Sequence, residues 1–339
     1  MKKHILALAV VAAFPVAAVA QNVSIYGAID RGVQFLDTGA ATNSKFNRSY
    51  IGGLATNRGG FQGSEDLGGG LKANFQLQSA MSDSQSVFGG TLEESWVGIS
   101  GAFGAIRIGT TDVTGAQGFE STINGMGNLA NTMTISNNTT ASSPEEGADT
   151  NNVIRYISPT INGFTLDVGY THGNATTATT NGAVDEIGLF VSYVNGPLTV
   201  GYGQHEVNGT TVAKENFKVA GVRYDFGVAA IGFVMQKGDA STTADVDISN
   251  STIAANVPLG NGLTVHAATT QAKLQSTDAK ARGYLVALQK DLSKRTSVYG
   301  VYTALRNSST AQSTWGGIGS LTTVGNDPSA FSFGVKHSF

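Results

Sequence analysis

Apolar and polar residues alternate with a period of two through most of the chain. In residues 71–80, LKANFQLQSA, every second residue is apolar, and residues 164–172, FTLDVGYTH, repeat the pattern. Successive side chains of a β-strand point to opposite faces, so this period indicates strands with one apolar and one polar face. After residue 20 no segment carries the sustained i, i+3, i+4, i+7 apolar stripe of a helix. The pattern predicts an all-β protein.

The predicted connections between the strands alternate in length. Short connections, such as residues 65–70, 100–104 and 158–163, carry the Gly, Asn, Asp and Pro residues that tolerate turn geometry. Long ones are rich in Thr, Asn, Ser and Gly and cover residues 36–57, 82–91, 110–151, 173–184, 205–215, 238–247, 271–281 and 306–329. About sixteen strands result, an even number that places both termini at the end with the short turns. This layout is typical of a transmembrane antiparallel β-barrel with short periplasmic turns and long extracellular loops, and it disfavours a large soluble β-protein.

The chain ends in the strand-like segment PSAFSFGVKHSF, which places Phe331, Phe333 and Phe339 on one face. A barrel in lipid cannot leave an edge open, because the unpaired backbone groups would be buried without partners. We therefore expect the last strand to pair with the first, near Val23, and its phenylalanines to face lipid.

The first twenty residues differ from the rest of the chain. They begin with Lys2 and Lys3, continue as an apolar stretch, and end in Ala18-Val19-Ala20. This is the pattern of a secretory signal peptide, so we predict a leader over residues 1–20 and a barrel domain over residues 21–339. Removing the leader changes the formal charge from −3 to −5.

Composition excludes several classes of function. A net negative chain lacks the basic footprint of a nucleic-acid-binding protein. The chain has no cysteine, so neither a disulfide framework nor a thiolate metal site exists. His172, His205, His266 and His337 lie in four separate segments, without a zincin motif or a nucleophile elbow. We therefore predict no enzyme, no cofactor and no metal site; a barrel enzyme and a barrel without a channel are the alternatives.

Several segments identify a resemblance to a known family. SIYGAIDRGVQF, GSEDLGGGLKANFQLQSA, WVGISGAFGAIRIGT, NNVIRYISPTINGF, YDFGVA, DLSKRTSVYG and the ending FGVKHSF resemble, in order, the general porins of beta-proteobacteria. The resemblance covers nearly all of the mature chain. It implies a sixteen-stranded homotrimer in the Gram-negative outer membrane, surrounded by lipid and lipopolysaccharide.

The resemblance also has implications for function. It implies a third loop that folds into each barrel and narrows a water-filled pore for ions and small hydrophilic solutes. It further implies that the barrel-insertion machinery recognises the C-terminal phenylalanines, Phe331, Phe333 and Phe339.

Charged residues at a constriction decide which ions enter a pore. The third long connection, residues 110–151, contains neither Lys nor Arg and carries five acids: Asp112, Glu120, Glu145, Glu146 and Asp149. If it folds inward, as the resemblance implies, it brings a negative edge to the narrowest part of the pore. Alternatively, these acids are merely solvated on an outer loop.

Alternation turns six charged residues of the predicted wall toward the interior: Asp30, Arg58, Arg107, Arg155, Arg223 and Asp225. A charge facing the bilayer midplane would cost roughly 2–4 kcal/mol, which supports these assignments. Arg31 then falls on the outward face, so either a bulge re-aims it or it lies in a trimer interface.

The sequence departs from the family pattern at the predicted constriction. Arg58 matches a pore arginine of related porins. However, Glu93 and Glu94 precede SWVGISG, and Thr110 follows IRIG, where relatives often carry basic residues. We therefore expect weak selectivity that leans toward cations. Alternatively, the two glutamates lie only at the loop mouth. A narrower alternative is a substrate-specific pore, in which the Thr/Asn/Ser-rich residues 124–143 bind a neutral solute.

Overall fold

The structure is a computed structural model. It describes residues 22–42, 44–51, 53–81, 92–116, 118–131, 133–136, 141–142, 150–171, 184–209, 215–239, 247–275, 279–318 and 323–339. The predicted leader over residues 1–20 lies outside the described residues, as do Glu145, Glu146 and Asp149. Across the described part of the chain, no helix has the length and apolar character to cross a membrane.

Strands make up nearly all of the described chain. They are β1 (Asn22–Asp37), β2 (Lys45–Ile51), β3 (Arg58–Gly68), β4 (Leu71–Ala80), β5 (Leu92–Gly101), β6 (Gly104–Thr111), β7 (Thr134–Ser136), β8 (Ala141–Ser142), β9 (Thr150–Ile157), β10 (Phe164–Thr171), β11 (Val184–Asn195), β12 (Leu198–Gly209), β13 (Glu215–Asp225), β14 (Ala230–Asp239), β15 (Asp247–Gly260), β16 (Leu263–Leu274), β17 (Ala279–Asp291), β18 (Thr296–Asn307), β19 (Gln312–Thr314) and β20 (Ser329–Ser338). A short helix α1 (Phe119–Asn124) and a 3-10 turn η1 (Gly127–Ala130) lie between β6 and β7.

Seventeen of these strands form one antiparallel sheet that closes on itself. β2 and β3 both pair with the same edge of β1, and this pairing is interrupted between Ile51 and Arg58. They are therefore two parts of one barrel strand, and the described barrel has sixteen strands. This confirms the predicted fold class.

The first and last strands close the barrel. β1 pairs with β20 from Ala28 opposite Ser338 to Asp37 opposite Ser329. Gly27 and Phe339 exchange two backbone hydrogen bonds, with N–O distances of 3.1 and 3.0 Å. The predicted pairing of the termini is confirmed, but it begins at Gly27, because the start of β1, including Val23, extends past the last residue and pairs with β3 alone.

The barrel wall alternates between an exposed apolar face and a covered inner face. In β17, Val286 and Leu288 are exposed, whereas Leu285 and Ala287 between them are buried. Such alternation is the pattern of a strand with lipid on one side. Arg31 stays on the outward face, since the β1–β20 register runs through it without a shift. The bulge proposed for Arg31 is therefore absent from that pairing.

The third loop folds into the barrel, as the resemblance implied. α1 packs against the inner face of β13, β14 and β15. β7 pairs with β19 of the last long loop, so two loops meet inside the barrel as a small separate sheet with β8. The loop core is apolar, with Ile123, Met126 and Leu129 fully buried.

The first predicted long connection, residues 36–57, is wrong in extent. Lys45–Ile51 forms β2 and pairs with β1, so the outer connection, of which residues 38–42 and 44 are described, is much shorter than predicted. The remainder, residues 53–57, turns into the lumen, and we call this segment the inner strap. Residues 45–51 are polar enough to resemble a loop, because the inner face of this strand contacts other loops and the water-filled lumen.

Candidate pore constriction

A cavity of about 460 Å³ lies between the third loop and the wall strands β3, β4 and β5. It brings together five of the predicted site residues: Arg58, Glu93, Glu94, Asp112 and Glu120. Asp112 and Glu120 come from the loop, and the other three come from the wall. Among the described lining residues, four are carboxylates and one is a guanidinium. The cavity therefore carries an excess of negative charge.

A β-bulge places both wall glutamates in this cavity. Gln78 of β4 lies opposite Glu94, and the next residue, Ser79, lies opposite Leu92. Glu93 is thus an extra residue in β5. In a regular strand two consecutive side chains point to opposite faces, so one glutamate would face lipid. The bulge re-aims a side chain and lets both acids line the lumen.

Hydrogen bonds hold Glu93 in place. Gln78 Nε2 donates to Glu93 Oε2 at 2.7 Å, and the Tyr26 hydroxyl donates to Gln78 Oε1 at 2.9 Å. Arg58 Nε lies 3.7 Å from the same Glu93 oxygen. The Arg58 side chain is 40% exposed and that of Glu93 is 15% exposed. Glu93 therefore offsets part of the positive charge that Arg58 presents to the pore.

Arg155 faces inward as predicted, but its side chain anchors the loop. Its guanidinium forms two hydrogen bonds with the Asp167 carboxylate, at 2.9 and 2.6 Å. Arg155 Nη1 also donates to the Asp112 carbonyl at 3.1 Å, and Asp167 accepts from the Gly115 amide. Because Arg155 is buried and paired, it attaches the start of the third loop to the wall and offers little charge to passing ions.

Arg223 has a similar role at the other end of α1. Its Nη1 donates to the Ile123 carbonyl at 3.0 Å, next to the last residue of the helix. Asn256 of β15 donates to the Asn124 carbonyl at 2.9 Å. Helix carbonyls at a C-terminus lack intrahelical partners, so these two side chains satisfy them and fix the helix on the wall.

Asp30 also points inward, but the inner strap covers it completely. Its carboxylate accepts hydrogen bonds from the Leu54 and Ala55 amides at 2.6 and 3.0 Å, and from the Tyr299 hydroxyl at 2.5 Å. Asp30 is fully buried. It therefore holds the strap that leads into Arg58, and it is not part of the pore surface.

Arg107 lies in a different part of the lumen. It lines a second cavity of about 410 Å³ together with Gln62, Gln76 and Trp96, nearer the end of the barrel that holds the termini. Its guanidinium carbon lies 4.3 Å from the centre of the Trp96 ring, which is a cation–π distance.

The three phenylalanines of the predicted insertion signal lie on the outer surface. Phe331, Phe333 and Phe339 are 42%, 47% and 43% exposed. The rings of Phe331 and Phe333 pack edge to face with centroids 4.5 Å apart. Their recognition by an insertion machinery remains a prediction.

Sequence reasoning missed several residues that position the constriction. Asp167 and Tyr299 were assigned no role, although they hold Arg155 and Asp30. Arg48 was placed in a loop, but on β2 it donates to Gln34 Oε1 at 2.7 Å and to the Gly317 carbonyl at 2.9 Å. Alternation along the strands predicts that these side chains point inward. Their hydrogen-bond partners lie in loops, however, and the alternation of apolar and polar residues does not extend into loops.

The polar tract over residues 124–143 uses many of its described side chains internally. Asn124 donates to the Ala130 carbonyl at 2.6 Å, and Asn128 donates to the Thr56 hydroxyl at 2.9 Å. Amides held in this way stiffen the loop and are less available to a neutral solute. Residues 132, 137–140 and 143 of the tract lie outside the described residues.

A closed sixteen-stranded antiparallel barrel with an apolar exterior and a charged, loop-narrowed lumen defines a bacterial outer-membrane channel. The family model described as Gram-negative porin matches residues 7–310, and the chain belongs to this family. It is a channel protein of the outer membrane and not an enzyme.

Individual relatives agree with this assignment. The chain is 30% identical to outer membrane porin protein 32 of Delftia acidovorans, over the full length of both chains. It is also 30% identical to major outer membrane protein P.IB of Neisseria lactamica, over 88% of this chain and 91% of the relative. Among solved structures, the anion-selective porin from Comamonas acidovorans matches with a TM-score of 0.76 and 26% identity, covering 94% of this chain and 100% of the other.

Proposed function

We propose that this porin forms a water-filled pore for passive diffusion of ions and small hydrophilic solutes, with a weak preference for cations. One observation carries the proposal: among the described residues that line the constriction cavity, the carboxylates of Glu93, Glu94, Asp112 and Glu120 face one arginine, Arg58. Fixed charges at a narrow point bias which ions enter, and the low-dielectric wall strengthens their field.

The other arginines of the wall support this sign of selectivity. Arg155 is paired with Asp167, and Arg223 binds the carbonyl end of α1. Arg107 lies outside the lining of the constriction cavity and packs on Trp96. Arg155 is thus neutralised by a carboxylate, and Arg223 is bound to the third loop. Arg107 lies away from the narrowest part of the pore.

The Comamonas relative is described as anion-selective. At 26% identity the two chains share the fold but can differ in the charges that line the pore. In this chain the bulge in β5 adds a carboxylate where a regular strand would place only one. We attribute the proposed cation preference of this chain to that additional carboxylate.

Neutralising the two bulge glutamates tests the proposal. We expect Glu93→Gln with Glu94→Gln to lower the cation-to-anion permeability ratio several-fold, because a unit charge near a pore wall acts at about 1 kcal/mol or more on an ion 4 Å away. The measurement is the zero-current potential in a planar bilayer under a KCl gradient.

Glu65→Gln with Asp66→Asn provides a matched control, since it also removes two carboxylates, at exposed positions at the far end of β3. This control should leave the potential unchanged. An equal shift in both variants, or no shift in the double variant, would contradict the assignment of selectivity to the constriction.

We also propose that the barrel is a homotrimer, as the family resemblance implies. Arg31 supports an interface on this side, because it faces outward beside an apolar surface cavity of about 440 Å³ that includes Val33, Phe333 and Val335. Such a charge is costly in lipid but tolerable between protein subunits. Native mass spectrometry should give the mass of three chains in mild detergent; a single-chain mass there would oppose the proposal.

A further inference from the structure

The inner wall next to the constriction carries a surface of uncharged polar side chains. The cavity of about 410 Å³ that contains Arg107 lies on the inner face of five adjacent strands, β1, β3, β4, β5 and β6. The strand register arranges its inward residues in two neighbouring rows: Ser24, Gln62, Gln76 and Trp96 in the first, and Asn22, Ser64, Asn74, Gly98 and Arg107 in the second. We call these two rows, together with Ser100, the amide cleft.

The amide cleft differs in charge from the constriction beside it. Its lining includes four carboxamides and three hydroxyls, and among the described lining residues Arg107 carries the one charge. The next register row reaches the constriction at Gln78 and Glu94. A solute that leaves the carboxylates of the constriction therefore meets a wall of dipoles.

A relay of hydrogen bonds that starts at the constriction orients the first of these amides. The Glu93 carboxylate only accepts, so Gln78 donates to it through Nε2 and presents Oε1 to the Tyr26 hydroxyl. Because that hydroxyl donates its proton to Gln78, it accepts from Gln76 Nε2, at 2.6 Å. The Gln76 amide group is thereby fixed, with its carbonyl oxygen left as an acceptor for a further donor.

Asn74, two residues before Gln76 on the same face of β4, is held in the same sense. Its Nδ2 donates to the Ser100 hydroxyl at 2.9 Å, which leaves Oδ1 as the acceptor end. A simple anion brings no hydrogen-bond donor and would meet two oxygens of like partial charge, whereas a hydroxyl group can donate to them. This pair of amides therefore favours a ligand that carries hydroxyl groups.

Arg107 supplies donors at the other side of the cleft. Gly98 lies directly opposite Arg107 and has no side chain, which leaves room for the guanidinium to reach Trp96 two residues away. The guanidinium carbon lies 4.3 Å from the centre of the Trp96 ring. A guanidinium stacked on an aromatic ring keeps its N–H groups at its edge, where they can donate to oxygen atoms.

We propose that the amide cleft binds a neutral polyhydroxylated solute, a mono- or disaccharide. Each hydroxyl of such a solute both donates and accepts, which matches a wall that offers acceptor oxygens together with amide and guanidinium donors. A neutral solute also passes the carboxylates of the constriction without repulsion. The cavity, at about 410 Å³, has the size of a small-molecule site. This binding rests on the proposed function, since the solute reaches the cleft through the water-filled pore.

Block of the ionic current by maltose tests the proposal. The full-length purified porin would conduct KCl in a planar bilayer while maltose is titrated on both sides. A bound sugar obstructs the pore, so we expect the current to fall along a saturable curve, beyond the linear decrease that viscosity causes. A methyl-capped polyethylene glycol of similar mass should give only the linear decrease, because it has no O–H donor for the amide oxygens. Lactobionate, a sugar acid of similar size, should block more weakly than maltose.

Two pairs of substitutions locate the binding. Gln62→Met with Asn74→Leu removes two carboxamides of the cleft. The matched control, Thr264→Val with Gln289→Met, removes two directly opposed polar side chains of β16 and β17, outside the cleft. Each pair includes one amide that donates a hydrogen bond within the protein. We expect the maltose concentration at half block to rise about tenfold in the cleft variant and to stay unchanged in the control.

The KCl current recorded before maltose is added shows that each variant is folded and open. A purely linear effect of maltose on the wild type would overturn the proposal, as would an unchanged half-block concentration in the cleft variant or an equal rise in the control. Tighter block by lactobionate would overturn it as well and would assign the cleft to anions at Arg107. All of these outcomes leave the proposed pore intact, whereas a wild type without KCl current would contradict the pore and the cleft together.

Discussion

Asp30 and Tyr299 illustrate how single buried residues shape the pore from behind its surface. The Asp30 carboxylate accepts hydrogen bonds from two backbone amides of the inner strap and from the Tyr299 hydroxyl. Neither Asp30 nor Tyr299 is exposed to the lumen. The strap carries Thr56, which lines the constriction, and leads directly into Arg58. The position of the pore arginine therefore depends on a carboxylate that no ion contacts.

At this scale we expect Tyr299→Phe to destabilise the barrel by about 1.5–3 kcal/mol, since it removes a buried hydrogen bond to a charged group. Urea-induced unfolding in detergent micelles would measure the change. Tyr302→Phe is the matched control, because Tyr302 lies three residues further along β18 and is 49% exposed on the outer face. A comparable loss in both variants would contradict the role given to Tyr299.

The face of such residues could be predicted from alternation, but their surroundings could not. Asp30, Arg155 and Arg223 all point inward as expected, yet each is bound by a segment that folds in from a loop. The family resemblance places both Glu93 and Glu94 at the constriction, but alternation alone does not. Period two assigns them to opposite faces, and only the strand register reveals the bulge.

Among the elements, the third loop depends on glycines in the wall. A Cβ at Gly232 would lie 2.1 Å from the Ile123 carbonyl oxygen, and one at Gly201 would lie 2.4 Å from the Phe119 ring. Real Cβ contacts are not this short, so inward glycines on β12 and β14 form the surface on which α1 rests. The turn geometry of the short connections requires glycine for a different reason, and this second role depends on contacts that only the folded loop makes.

At the element scale, we expect Gly232→Ala to push α1 from the wall into the lumen and so reduce the single-channel conductance. The clash involves backbone, which cannot move aside as a flexible side chain would. Gly300→Ala is the control, since its added Cβ would lie at an ordinary 3.4 Å from Phe333 on the outer face. An unchanged conductance in Gly232→Ala would mean that the helix is not held where the structure places it.

For the whole molecule, the sequence was most informative about the barrel. Alternation, an even strand number, loop lengths sorted to two ends and a strand at the C-terminus all follow from the need to satisfy every backbone group in lipid. Strand ends were less predictable, as Lys45–Ile51 shows, because a lumen-facing strand and a polar loop have similar composition. The contacts between the loops and the wall, which shape the pore, could not be predicted from local sequence patterns, because they join residues that are far apart in the chain.

The central claim concerns the balance of charge at the constriction, and the zero-current potential of the wild-type porin tests it most directly. The purified protein would be placed in a planar bilayer under a KCl gradient. In a cation-preferring pore, K⁺ crosses to the dilute side faster than Cl⁻, so we predict that the dilute side becomes positive. A negative dilute side would show anion preference and would contradict the assignment of selectivity to Glu93, Glu94, Asp112 and Glu120.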